Sequence, residues 1–207
     1  MDFLSFVLLL LVLLARTAVA ESTITEADEK LFRSVHESDI DGLIAASKMD
    51  EFNVNKIIDP SGQTPLMRAV LQGSTPETVE MLLKLGADPL IGERDGYTPM
   101  HGAGFQGRAQ LVPILIEKAH LDINERHSDG YTPITRACWG REQRHTETVK
   151  VMLIHGANPE EKMCSNVNGQ DVCQSLVEVT SNLGTKAVLE KYFVSKAHGS
   201  SAEEREL

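Results

Sequence analysis

A four-residue motif, Gly-x-Thr-Pro, occurs three times at an equal interval in the middle of this chain. The copies are Gly62-Gln63-Thr64-Pro65, Gly96-Tyr97-Thr98-Pro99 and Gly130-Tyr131-Thr132-Pro133, and successive threonines are 34 residues apart. A fixed period of this length is typical of chains in which one supersecondary unit stacks on copies of itself. We therefore expect a solenoid that functions through its surface, without a catalytic cleft.

The residues around each motif predict a turn, a helix, a loop and a second helix. Glycine suits the turn, threonine can cap a helix with its hydroxyl, and proline fits the first helical position. The motif is followed at constant register by a small residue, Ala69, Ala103 or Ala137, which lets helices approach closely. Gly86 and Gly156 predict the ends of two second helices. The middle unit has no such glycine at residues 119–121, so we expect its turn to be less regular.

Thr64-Pro65-Leu66-Met67-Arg68-Ala69 and its two later copies resemble the Thr-Pro-Leu-His-x-Ala signature of ankyrin repeats. This resemblance implies an all-α solenoid in which each unit is a β-turn followed by an antiparallel helix pair, about five units in all. The predicted boundaries are an N-terminal capping repeat at 27–58, repeats at 59–92, 93–126 and 127–162, and a C-terminal capping repeat at 163–196.

Ankyrin resemblance also implies a protein-binding module whose concave side consists of the turn tips and first helices. Large aromatic residues at two register positions on that side, Tyr97, Phe105, Tyr131 and Trp139, are candidates for partner binding. The alternative is that Phe105 and Trp139 only pack against neighbouring helices.

A basic group near Trp139, consisting of Arg136, Arg141, Arg144 and His145, could bind an acidic segment of the partner. We expect its last three members in a loop lengthened by three extra residues. The alternative is a solvated loop whose arginines pair with Glu142 and Glu147.

The N-terminal residues predict a signal peptide at 1–20. An apolar run at 3–15 is followed by Ala18-Val19-Ala20, a tripeptide suited to cleavage before Glu21. We therefore expect the secretory pathway, either the lumen of the endoplasmic reticulum or the exterior. An uncleaved leader would instead make the chain a membrane-anchored structural protein. A flexible acidic tail is predicted at 197–207, and its last four residues, Glu204-Arg205-Glu206-Leu207, are either a retention signal or a solvated end.

Three cysteines leave the redox chemistry open. Cys164 and Cys173 either form a disulfide or remain reduced, and a redox- or metal-active protein that uses them is a third functional interpretation. Cys138 is expected in the core. The sequence contains no phosphate-binding loop, zinc-protease motif or nucleophile elbow. We therefore expect no catalysis, no cofactor and no resident metal.

Net charge bears on the class of partner. The chain has a formal charge of −10 at pH 7, which disfavours contact with a phosphate backbone. We therefore expect a protein partner and no nucleic acid, with the chain itself a monomer.

Overall fold

The computed structural model describes residues 24–197, apart from the side chains of residues 165–167 and 197. The predicted signal peptide at 1–20 and the predicted tail beyond residue 197 therefore lie outside the described residues. Within them, antiparallel helix pairs are connected by turns, and one β-hairpin interrupts the pattern near the C-terminal end. The all-α repeat solenoid predicted from the sequence is confirmed.

Ten helices and two strands make up the described part of the chain. In order they are α1 (Glu26–Glu37), α2 (Ile40–Ala46), α3 (Pro65–Gln72), α4 (Pro76–Lys84), α5 (Pro99–Gln106), α6 (Leu111–Glu117), α7 (Pro133–Cys138), α8 (Gln143–Ile154), β1 (Lys162–Val167), β2 (Gln170–Ser175), α9 (Leu176–Val179) and α10 (Leu183–Ala197). The first helices of the three regular repeats are α3, α5 and α7. Their second helices are α4, α6 and α8.

The Thr-Pro pairs begin all three first helices. In α3, the Thr64 hydroxyl oxygen accepts a hydrogen bond from the Met67 backbone N–H at 3.2 Å. Pro65 suits the first helical position because it has no N–H that would need an acceptor. In α5 the Thr98 hydroxyl instead donates to the Glu125 carboxylate at 2.9 Å and lies 2.9 Å from Nδ1 of His101. The second threonine therefore connects the start of α5 to the last residues of the same repeat.

Small residues bring the first helices close together. Ala69, Ala103 and Ala137 are all completely buried. At Gly104 in α5, a Cβ atom would lie 2.2 Å from the backbone carbonyl oxygen of Pro133, so any side chain there would push α5 and α7 apart. Neighbouring repeats can share one apolar core because these positions carry almost no side chain.

The turns after the second helices differ in the way that the glycine pattern predicts. Gly86 and Gly156 have positive φ angles of 90° and 88°, and in each case the next N–H bonds a carbonyl five residues earlier. After α6 the left-handed position is His120, with φ of 54°, and Leu121 bonds Leu115 six residues back. The middle turn is thus one residue longer, and a non-glycine residue occupies the left-handed region.

The three extra residues of the third repeat do not lengthen a loop, contrary to expectation. They extend α8, which has 12 residues against 9 in α4 and 7 in α6. His145 lies in the first turn of α8, where it is buried and bonded through Nε2 to the Phe105 carbonyl at 3.1 Å. This buried hydrogen bond near the start of α8 stabilises the segment as a helix.

The segment predicted as a C-terminal capping repeat begins with a β-hairpin that the sequence analysis did not anticipate. Strands β1 and β2 are antiparallel, with Cys164 opposite Cys173, and these cysteines form a disulfide. Asn168 and Gly169 have positive φ angles of 53° and 83°, the pair of values that a type I′ hairpin turn requires. The expected helix pair is reduced to the single turn α9 and the long helix α10.

Replacing both Cys164 and Cys173 by serine should loosen the hairpin without unfolding the repeats. Closing so short a loop stabilises a chain by about 2–3 kcal/mol in the entropy model, but β2 is almost wholly exposed, so the loss should remain local. Hydrogen exchange of the amides in residues 162–175 should accelerate by roughly tenfold or more. The Tm should fall by less than about 2 °C, whereas a fall above about 5 °C would show that the hairpin stabilises the whole stack.

Candidate functional site

The structure gathers three of the predicted aromatic residues around one arginine. The guanidinium carbon of Arg136 lies 4.5 Å from the ring centre of Tyr97, 5.2 Å from that of Tyr131 and 4.5 Å from that of Trp139. The Tyr131 and Trp139 rings also meet edge to face at 5.1 Å. We call these four residues the Arg136 cluster. It joins the turn of the second repeat to the first helix of the third.

The charge of Arg136 is balanced within the chain. Its guanidinium forms an ion pair with Asp129, and the side chain is only 11% exposed. Tyr97 donates its hydroxyl to the same carboxylate at 2.7 Å. Partial burial raises the pKa of Asp129, but the bonds from Tyr97 and His127, with Arg136 nearby, outweigh it and lower the pKa to about 2. This ion pair argues against an acidic partner segment at Arg136, because Asp129 already pairs with the guanidinium, and that role stays a prediction.

The other two predicted arginines lie apart from the Arg136 cluster. Arg141 is exposed in the connection between α7 and α8. Arg144, expected in a loop, is in the first turn of α8 and pairs with Glu142 at 2.7 Å. It lines a second groove, beside Arg108, between the helix-connecting loops of successive repeats. The proposed basic group is thus divided between two surfaces.

A pocket of about 160 Å³ opens between the first two repeats, on the side formed by the turns and first helices. We call that side the inner face. Gly102 lines the pocket and contributes no side chain to it. Its apolar walls are Met67, Leu71, Gly102 and Phe105, and its polar walls are Glu93, Tyr97, His101 and Arg136.

Phe105 is the exposed residue among the four predicted aromatic binding residues. It is 54% exposed at the edge of the pocket, whereas Trp139, at the same register position one repeat later, is half-buried within the Arg136 cluster. Sequence reasoning missed Gly102 and Glu93. The sequence did contain a signal for this position: the residue before the register alanine is arginine at Arg68 and Arg136 but glycine at Gly102.

His101 lines the pocket, and its imidazole ring is buried. It is 2% exposed, and Nδ1 lies 2.9 Å from the Thr98 hydroxyl. Burial lowers the pKa of His101 below its ordinary value, although the nearby Glu125 carboxylate opposes this effect.

Acidification should therefore destabilise the fold through His101. The lowered pKa means that protons bind the unfolded chain more readily, so this stabilisation is present above about pH 6.5 and is lost as the pH falls toward the lower folded value. Urea unfolding at about pH 7.5 and about pH 5 should show a larger loss for the wild type than for His101→Gln. Equal losses in the two proteins would contradict this assignment.

The described residues show no sign of metal or thiol chemistry at this site. Between residues 24 and 197, no group of three His, Cys, Asp or Glu side chains is arranged to hold a metal ion. Burial raises the pKa of the Cys138 thiol to about 12, so it is protonated at neutral pH and packs as core. No helix in this part of the chain is long and apolar enough to cross a membrane.

Turn–helix–loop–helix units stacked in register, with an inner face of turns and first helices, define a repeat protein of the interaction-module class. The family model for ankyrin repeats, in three copies, matches residues 75–163. The ankyrin-repeat resemblance predicted from the signature is therefore confirmed over these residues.

Several curated proteins are similar to part of the chain. The Notch-regulated ankyrin repeat-containing protein of Homo sapiens is 42% identical over 76 residues, covering 37% of this chain and 65% of that protein. Protein B of the same name from Danio rerio is 44% identical over 69 residues, 33% of this chain and 60% of its own length. The ANK repeat-containing protein nipk-1 of Caenorhabditis elegans is 39% identical over 84 residues, 40% of this chain but 14% of nipk-1. The chain thus spans less than two thirds of these relatives, and the similarity supports the repeats as a protein-interaction module.

Proposed function

We propose that this chain is a non-enzymatic adaptor or scaffold that binds a partner protein through its inner face. Phe105 is the observation that carries the proposal, because a large aromatic residue that is 54% exposed beside a pocket matches the usual composition of binding hot spots. The pocket is too small for most metabolites, whose sites span roughly 300–1,000 Å³. It suits a single side chain of a partner.

The Arg136 cluster supports this face as a scaffold. Its ion pair and ring contacts hold Tyr97 and Tyr131 in place across two repeats, so the walls beside Phe105 are ordered before a partner arrives. Such preorganisation lowers the entropy cost of association.

Phe105→Ala should weaken binding to a partner isolated with the wild-type protein by about tenfold or more, since truncating a hot-spot aromatic costs more than about 1 kcal/mol. Ile154→Ala is the matched control, because Ile154 is 52% exposed but lies at the end of a second helix, away from the inner face. Isothermal titration of both variants, with circular dichroism to verify folding, would check this. Equal affinity of the Phe105 variant and the wild type would show that the partner binds elsewhere.

We also propose that the protein works in the secretory pathway. The predicted leader at 1–20 and the Cys164–Cys173 disulfide support this, because disulfides persist in oxidising compartments. Mass spectrometry of the protein from its native source should find Glu21 as the first residue. An intact Met1 or Asp2 would favour the membrane-anchored alternative.

A further inference from the structure

At one register position on the inner face, the middle repeat has glycine where both flanking repeats have arginine. Four residues after each Thr-Pro threonine stand Arg68, Gly102 and Arg136. Arg68 forms an ion pair with Asp59 and lies over the Phe32 ring at 5.0 Å. Arg136 does the same with Asp129 and Tyr97. Each flanking repeat thus holds a guanidinium between a turn carboxylate and an aromatic ring, and the middle repeat has no such cation.

The acceptor for the missing cation is still present. Glu93 precedes Gly102 by nine residues, as Asp59 precedes Arg68, and it forms one wall of the pocket that opens at Gly102. Among residues 24–197, no cation forms an ion pair with the Glu93 carboxylate, and neither carboxylate oxygen accepts a hydrogen bond. A half-buried carboxylate beside an apolar cavity gains free energy when a cation reaches it.

We propose that the Gly102 pocket binds an arginine side chain of the partner, whose guanidinium pairs with Glu93 and completes the row formed by Arg68 and Arg136. The proposal rests on the inner face being the partner-binding surface. Met67 and Leu71 receive the aliphatic stem, and Phe105 provides an exposed aromatic face for the planar cation.

Charge favours a basic occupant over an acidic one. Arg136 also lines the pocket, but Asp129 balances its charge, which leaves Glu93 as the unpaired charge. The chain as a whole carries −10, so its field attracts a basic segment. The pocket volume, about 160 Å³, is close to the roughly 150 Å³ that holds one benzene-sized group, which suits one side chain.

Gly102→Arg tests the pairing within the chain itself, without a partner. Gly102 lies inside α5, and the nearest atoms to a new Cβ are flexible side-chain ends, Leu71 Cδ2 and Met67 Cε, both at 3.3 Å. We expect the G102R protein to fold with a Tm no lower than that of the wild type. Glu93→Gln should raise the unfolding equilibrium constant of G102R at least about threefold more than it raises that of the wild type. Equal effects in the two backgrounds would overturn the pairing.

Binding is tested with a random peptide library as the probe, selected against the wild-type protein. Selected peptides should contain an arginine whose replacement by alanine weakens binding at least about tenfold, and Glu93→Gln and G102R should cause a similar loss. Glu117→Gln, at an exposed glutamate of α6, is the control that should leave binding unchanged.

The outcomes separate this inference from the proposed function. Some peptides could lose binding on Phe105→Ala and yet lack arginine, carry acidic residues instead, or bind equally well to Glu93→Gln. Such peptides would overturn the arginine pocket and leave inner-face binding intact. Peptides that bind the Phe105→Ala variant as well as the wild type would overturn both the arginine pocket and inner-face binding. The absence of any selected peptide would do the same.

Discussion

Close approach between the first helices of successive repeats is the constraint on which this structure depends. A single turn and helix pair cannot bury its own apolar side, so each repeat uses its neighbour as the other half of the core. Ala69, Ala103 and Ala137 are completely buried at the contact, and Gly104 leaves room for the Pro133 carbonyl. The turns, and with them the inner face, are placed by this contact.

A fixed frame makes the exposed positions independent of the fold. The residue just before each register alanine is arginine in two repeats and glycine in the third, so the frame accommodates both. In the flanking repeats the arginine at this position closes the inner face by pairing with its own turn. At Gly102 the same frame leaves a pocket and an unpaired Glu93. The candidate site is therefore a local vacancy in a regular pattern.

Much of the fold could be predicted from local chemistry. Thr-Pro helix starts, glycine helix ends and the irregular turn at residues 119–121 all follow from backbone preferences that act within a few residues. The hairpin carried a local signal too, since Asn168-Gly169 is a strong turn sequence, but the apolar residues on both sides favoured a helical repeat. The prediction of a loop for Arg144 and His145 was wrong, because His145 is buried through a hydrogen bond to the Phe105 carbonyl, 40 residues away in sequence.

Sequence alone was sufficient for the repeat class, its period and the set of aromatic residues, because these depend on spacing that recurs within each unit. It could not show that Tyr97, Tyr131 and Trp139 surround an already neutralised arginine, or that Phe105 stays exposed beside an open pocket. Those properties depend on distances between repeats. The partner-binding potential of a side chain depends on which charges and rings the neighbouring repeat has already placed against it, and the folded stack sets those contacts.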